Sequence, residues 1–204
     1  MITTLIFDIG NVLTNFKWEE FIHGFGFPED TVSRIAKAAM LSKAWYDFDR
    51  GVPEEEVLQE FIDNDPGIER ELRIMFQDIG GTLEIFDTTI PWLDELKEQG
   101  YRRLILSNLS EKTVRECPHA LTFLWDHVDG GILSYTVGMV KPDREIYDEL
   151  IVRYSLVPEE CVFLDDREEN IATGRSVGFH GIVYRSREEA LQELEKLGVK
   201  KSSI

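Results

Sequence analysis

Three short apolar runs each end on polar residues that carry chemistry. Leu5-Ile6-Phe7 leads into Asp8, Leu104-Ile105-Leu106 into Ser107-Asn108, and Cys161-Val162-Phe163-Leu164 into Asp165-Asp166. Unbroken apolar runs of this length mark strands buried on both faces. Ile132–Leu133 and Ile182–Tyr184 are two weaker runs of the same kind. Helical patterns separate them. Pro91-Trp92-Leu93-Asp94-Glu95-Leu96 opens a helix that Gly100 stops. Asp143 stands where it can cap a helix carrying Ile146, Tyr147, Leu150, Ile151 and Tyr154 on one face. Ala190, Leu191, Leu194 and Leu197 mark a last helix before Gly198. Strands alternating with helices predict an α/β fold with a parallel sheet, right-handed crossovers and helices on both faces. The C-terminal strand ends of such a sheet converge on one edge, where its chemistry sits.

Residues 16–88 follow a different pattern, with no strand expected. Val32, Ile35, Ala36, Ala39 and Met40 share one helical face. Val57, Leu58, Phe61 and Ile62 share a second, and Leu72, Met75, Phe76 and Ile79 a third. Pro28, Gly51–Pro53 and Pro66-Gly67 break the pattern. The expectation is a helical bundle inserted after the first strand and loop, where a lid over the strand ends would be useful.

The 204 residues allow one domain with a large insertion, or two small domains. A formal net charge of -17 argues against nucleic acid and anionic membranes as partners, because both reward clustered basic residues. An anionic substrate would need local positive charge, such as a bound cation. Cys117 and Cys161 have no metal-like spacing and form no disulfide framework. The N-terminus reads as neither a signal peptide nor a membrane span, so a cytoplasmic protein is expected.

Asp8, Ser107, Lys141 and Asp166 all fall at strand ends or in loops on the same side. Two carboxylates, Asp8 and Asp166, offer the hard oxygen ligands that Mg²⁺ prefers, alongside waters and a substrate phosphate. Lys141, held outside a helix by Pro142, can neutralise a phosphate as a point charge. Ser107 and Asn108 offer a hydroxyl, an amide and backbone N–H groups to phosphate oxygens. Asp8 could serve as an in-line nucleophile. Each piece alone also has an ordinary reading: a turn residue, an acidic first helical turn or an N-cap. Their joint order is harder to obtain by accident.

That order is Asp8-x-Gly10-x-Val12, then apolar-Ser107-Asn108, then Lys141-Pro142-Asp143, then Phe163-Leu164-Asp165-Asp166-x-x-x-Asn170. It resembles the four motifs of the haloacid dehalogenase-like hydrolase superfamily, over essentially the whole chain. Phe7-Asp8-Ile9-Gly10-Asn11-Val12 looks most like the bacterial α-D-glucose-1-phosphate phosphatases and the related N-terminal phosphatase domain of soluble epoxide hydrolases. Arg50-Gly51, Glu54-Glu55-Glu56 and Phe61 are similar to the cap of that subgroup. The resemblance implies a Rossmann-like core from residues 1–15 and 89–204, with residues 16–88 as a helical cap domain. It implies Asp8 as nucleophile and Mg²⁺ ligand, the Gly10 carbonyl and Asp166 as further ligands, and Asp165 and Asn170 in support. Ser107, Asn108 and Lys141 would hold the phosphoryl group. The activity implied is Mg²⁺-dependent hydrolysis of a small phosphorylated metabolite, with sugar phosphates such as glucose 1-phosphate among the candidates. A monomer or homodimer is expected, and the sequence does not choose between them.

Gly10 departs from the wider pattern, which has an Asp there as general acid and base. Losing such a group can cost roughly 10²–10⁴-fold in rate. A more acidic leaving group, as in a sugar 1-phosphate, is the explanation the resemblance favours. A water or a cap side chain among His23, Asp47 and Asp49 is the second. The third is a degenerate phosphate-binding protein. Trp45, Tyr46, His23, Lys43 and Arg50 are candidate cap contacts. A metal-free haloacid dehalogenase fits less well, given the Asp165-Asp166 pair. A β-phosphoglucomutase-like activity needs an acid at position 10, and receiver domains carry their acid pair early in the chain.

Overall fold

The computed structural model describes residues 1–122 and 124–201. Its main sheet has five parallel strands in the order β5-β4-β1-β6-β7. These are β1 (Thr4–Phe7), β4 (Arg102–Ser107), β5 (Gly131–Leu133), β6 (Cys161–Asp165) and β7 (His180–Val183). β1 lies at the centre because its residues are apolar on both faces. Leu5, Ile6 and Phe7 are fully buried, each stabilising the fold by roughly 1.5–3 kcal/mol.

Alternation along the strands feeds two cores. Leu5, Phe7, Ile105, Val162 and Leu164 pack with Trp92, Leu93 and Leu96 of α6 (Thr89–Glu98) and with Ala190 and Leu194 of α12 (Arg187–Lys196). Ile6, Leu104, Leu106 and Phe163 face the other way. They meet Ile146, Tyr147 and Leu150 of α10 (Arg144–Tyr154) and Ile171 of α11 (Glu168–Ser176). The expected parallel sheet, with helices on both faces, is therefore the fold observed. Short helices α7 (Glu111–Glu116), α8 (Pro118–Leu121) and α9 (Leu124–His127) fill the β4–β5 connection.

Between Phe16 and Leu83 lie five helices: α1 (Trp18–His23), α2 (Glu29–Ile35), α3 (Lys43–Asp49), α4 (Glu54–Asn64) and α5 (Glu69–Gln77). They enclose their own core, in which Trp45, Phe48, Phe61 and Phe76 form aromatic contacts. A π-turn, Ala36–Met40, extends α2, with Leu41 N–H donating to Ala36 O at 2.9 Å. Lys112 of α7 is buried, and its Nζ bonds Glu54 of α4 at 3.2 Å and Glu116 at 2.7 Å. Arg115 reaches the same Glu54 at 2.7 Å.

Three local expectations need correction. Residues 16–88 do contain a strand, β3 (Leu83–Ile85), paired antiparallel with β2 (Thr14–Phe16). Three residues against three are too short for alternation to register in the sequence. The last strand also begins earlier than its apolar run, at His180, because Gly181 packs closely against Ile171 and Arg175 without contributing an apolar side chain. Asp143 does precede α10, but its side chain makes no cap bond. It pairs with Arg50 after α3 at 3.1 Å instead.

β5 crosses β4 very closely at Gly131. A Cβ there would lie 2.5 Å from Ile105 O and 2.7 Å from Ile105 N, both backbone atoms. Gly131→Ala should destabilise the fold by about 1–3 kcal/mol or more through forced backbone displacement. Urea denaturation will show this as a lower midpoint, and an unchanged midpoint would contradict the packing described.

Candidate active site

The parallel register decides which side chains meet. Phe7 stands level with Ile105 on one side and Leu164 on the other. Asp8 and Asp165 therefore leave neighbouring strands at the same height, and Asp8 N–H still donates to Leu164 O at 2.9 Å. Ser107 ends β4 on the other side of β1. Its hydroxyl donates to Asp8 Oδ1 at 2.6 Å. The Ile9 N–H donates to the same oxygen at 2.7 Å.

Lys141 enters from the loop before α10, and its peptide bond to Pro142 is cis. Nζ lies 2.9 Å from Asp8 Oδ1 and 2.6 Å from Asp165 Oδ2, with the side chain 1% exposed. The loop is held by a reciprocal pair: Lys141 N–H donates to Asn108 Oδ1 at 2.8 Å, and Asn108 Nδ2 donates to Lys141 O at 2.9 Å. Burial alone would lower the Lys141 pKa, but Asp165 and Asp8 outweigh it and hold the ammonium above its ordinary value.

Asp165 is fully buried and saturated by protein. Its Oδ1 accepts from Arg167 N–H at 2.9 Å, and Asn170 Nδ2 reaches both oxygens at 2.9 and 3.0 Å. Asn170 is held in turn by Tyr147, whose hydroxyl donates to Asn170 O at 2.9 Å. Asp166 points elsewhere, accepting from Asn11 Nδ2 at 2.9 Å. Burial raises the Asp166 pKa. Burial also pushes Asp8 up to about 6, against the pull of Lys141.

Carboxylate oxygens of Asp8, Asp165 and Asp166 lie within 4.8 Å of one another. This hard-oxygen set suits Mg²⁺, which keeps several waters and takes one or two carboxylates. Among the described residues, the hydrogen bonds to Asp8 fall on Oδ1. With Asp165 saturated by Lys141, Asn170 and Arg167, the carboxylates best placed for a cation are those of Asp8 and Asp166. Gly10 sits in the same loop and lines the same cavity. A Cβ added to it would meet nothing nearer than Phe16 Cβ at 3.8 Å, so the backbone does not require glycine there.

That cavity, of about 330 Å³, opens between the strand ends and the inserted helices. Asp8, Ser107, Asn108, Lys141, Asp166 and Asn170 line its floor. Phe16, Trp18, Met40, Leu41, Trp45 and Leu83 give it an apolar wall. The π-turn delivers Met40 to this wall and Leu41 follows it, matching the tendency of such irregularities to fall at functional sites. Of the anticipated contacts from the insertion, Trp45, Tyr46 and Asp49 line the cavity. His23 is paired with Glu29, Lys43 with Asp47, and Arg50 with Asp143, away from it.

Asn11 and Arg167 were not anticipated. Asn11 takes a left-handed φ of 59°, which Asn tolerates better than most residues, and that tolerance was its only sequence signal. Arg167 stacks on the Tyr46 ring at 5.3 Å, joining the loop after β6 to α3.

Known proteins resemble this chain in sequence and in fold. A sesquiterpene phosphatase of Aspergillus oryzae, astK, is 27% identical over 195 residues, covering 94% of each chain. Bifunctional epoxide hydrolase 2 of Rattus norvegicus is 35% identical over 105 residues, which span 50% of this chain but 19% of that one. A solved HAD family enzyme of Bacteroides thetaiotaomicron, in complex with magnesium and inorganic phosphate, shares the fold. It has a TM-score of 0.71 at 21% identity, covering 92% of this chain and 96% of its own. The family model described as haloacid dehalogenase-like hydrolase matches residues 2–178. No helix among the described residues is long and apolar enough to cross a membrane. With that family match spanning most of the chain, the chain belongs to the haloacid dehalogenase-like hydrolase family and is an enzyme of that hydrolase class.

Proposed function

We propose that this enzyme is a Mg²⁺-dependent phosphomonoesterase working through an aspartyl-phosphate on Asp8. The observation that carries the reading is the buried Asp8–Lys141–Asp165 cluster at the foot of the cavity. Lys141 and Ser107 orient Asp8 for in-line attack on phosphorus and meet the phosphoryl oxygens as they approach. The backbone and amide of Asn108 complete that cradle. Asp8, the Gly10 carbonyl and Asp166 would hold Mg²⁺, which when bound would offset the negative charge shared by Asp8 and phosphate. Asp165 and Asn170 keep Lys141 in place. The inserted helices, residues 16–88, act as a cap that selects the leaving group over the core formed by residues 1–15 and 89–204.

The substrate is a small phosphorylated metabolite. A sugar phosphate such as glucose 1-phosphate suits a site with Gly10, because its anomeric oxygen leaves more readily than an ordinary alcohol. A second reading, the phosphate of an apolar alcohol, is favoured by the wall of Phe16, Trp18, Met40, Leu41, Trp45 and Leu83. The sesquiterpene phosphatase relative, similar along 94% of both chains, supports it.

Hydrolysis of p-nitrophenyl phosphate should require Mg²⁺ and fall to background in Asp8→Asn. Equal rates from parent and variant would remove Asp8 from its assigned role. Lys141→Met should lower kcat by about 10²–10³-fold, as for loss of one preorganised charge-stabilising group. It should also destabilise the fold by about 3–5 kcal/mol, because Asp165 is left buried without its cation. A panel of glucose 1-phosphate, glucose 6-phosphate and farnesyl phosphate separates the substrate readings by kcat/KM. Preference for glucose 1-phosphate favours the first, and preference for the farnesyl ester favours the second.

A further inference from the structure

The proposed reaction needs a proton transferred twice. The leaving oxygen must gain one as its bond to phosphorus breaks. The water that then attacks the aspartyl-phosphate must lose one. Gly10 carries no group for either transfer. Asp8, Asp49 and Asp166 are the acids that line the cavity, and Asp8 and Asp166 already have roles.

Asp49 is the last residue of α3, so it descends from the inserted helices toward the strand ends. It is 7% exposed. Its backbone is anchored to the core: the Ser134 hydroxyl donates to Asp49 O at 2.6 Å and accepts from Leu109 N–H at 2.9 Å. The Ser110 N–H faces its carboxylate, three residues past Ser107 in the loop that forms the cavity floor. The next residues reinforce this docking, through Arg50 on Asp143 and the close approach of Gly51 to Tyr135 O. His23 and Asp47, the other two acid–base candidates, do not line the cavity and are engaged with Glu29 and Lys43.

We propose that Asp49 is the general acid and base of this enzyme, acting from the cap in place of the group absent at Gly10. The proposal rests on Asp8 being the nucleophile. In the first step Asp8 forms a bond to phosphorus and the P–O bond to the alcohol breaks. The Asp49 carboxylic acid gives its proton to the departing oxygen, releasing a neutral alcohol. In the second step water attacks phosphorus, the bond to Asp8 breaks and Asp49 takes the water proton. Phosphate leaves with Asp8 ionised and Asp49 protonated, as at the start.

The environment favours the protonated form. Burial first, and the nearby Asp8 charge second, push Asp49 up to about 8, with Lys141 and the Ser110 N–H pulling the other way. Asp166, Arg167 and Tyr46 face the same space. A buried carboxylic acid that keeps its proton at neutral pH has the form a general acid needs. It also frees the enzyme from requiring an acidic leaving group, so the apolar alcohols that suit the cavity wall become accessible.

Asp49→Asn tests this, because the amide oxygen can still accept from Ser110 N–H while the transferable proton is gone. Two esters are compared by kcat/KM: p-nitrophenyl phosphate, whose phenol leaves without help, and 2-phenylethyl phosphate, whose alcohol does not. The loss on the alkyl ester should exceed the loss on the aryl ester by about 10²-fold or more. With the aryl ester, Asp49→Asn should show a burst of p-nitrophenol followed by slow turnover, because the aspartyl-phosphate waits for its base. On the alkyl ester the parent should lose activity as pH rises through about 8, and the variant should lack that limb. Adding Gly10→Asp to Asp49→Asn should restore part of the alkyl rate. If Asp49→Asn folds poorly, Asp49→Glu, which keeps a proton, should lower both ester rates by the same factor. Equal losses on both esters in Asp49→Asn, or a selective alkyl loss in Asp49→Glu, would overturn the proposal. Activity or a burst surviving in Asp8→Asn would instead overturn the nucleophile reading beneath it.

Discussion

A lysine ammonium lies between two carboxylates in a place that water hardly reaches. Lys141 Nζ touches Asp8 at 2.9 Å and Asp165 at 2.6 Å, and none of the three residues is more than 8% exposed. Any one of these charges would be costly to bury alone, by several kcal/mol even after relaxation. Together they are tolerable only because the remaining hydrogen-bonding capacity is met. Ser107 and Ile9 N–H serve Asp8, and Asn170 and Arg167 N–H serve Asp165. The cluster therefore demands a β1–β6 register that brings Asp8 and Asp165 level, with β4 ending in Ser107 alongside. Shifting either strand by one residue would separate a charge from its partner and turn apolar side chains away from their core.

The inserted helices depend on that platform through a few contacts of different chemistry. Ser134 holds the Asp49 carbonyl, Asp143 pairs with Arg50, Arg167 stacks on Tyr46, and Lys112 with Arg115 gathers Glu54. Most of these lie around the C-terminal end of α3. That end is consequently the best-anchored part of the insertion over the cavity, where a side chain such as Asp49 could act with the positional precision that proton transfer requires. The far wall, made by the π-turn and Leu41, is apolar and makes fewer polar ties.

Much of the fold could be read from residue pattern because burial on both faces leaves a strong signature. Leu5–Phe7, Leu104–Leu106 and Cys161–Leu164 are apolar without interruption, and each proved to be a strand of the parallel sheet. β3 escaped notice because Leu83-Glu84-Ile85 pairs only with three residues of β2. Asp143 looked like a helix cap because the residue type suits one, yet a guanidinium from another element outcompeted the local N–H groups. The floor of the site was legible because strand ends must converge. The roof was not, since which faces of α3 and the π-turn overlook the cavity depends on how the bundle docks, and that is fixed by long-range contacts. Asp49 stood equal with His23 and Asp47 in the sequence and is separated from them only by its place in the folded chain.

In the proposed reaction, phosphoryl groups pass through Asp8. Acid-quenched enzyme, sampled during turnover and treated with borohydride, reports this directly, because an aspartyl-phosphate is reduced to homoserine whereas a free carboxylate is not. Peptide mass spectrometry should find homoserine at position 8 in samples quenched with substrate and Mg²⁺, more of it in Asp49→Asn, and none without substrate. Continued phosphate release with residue 8 unreduced throughout would contradict the account.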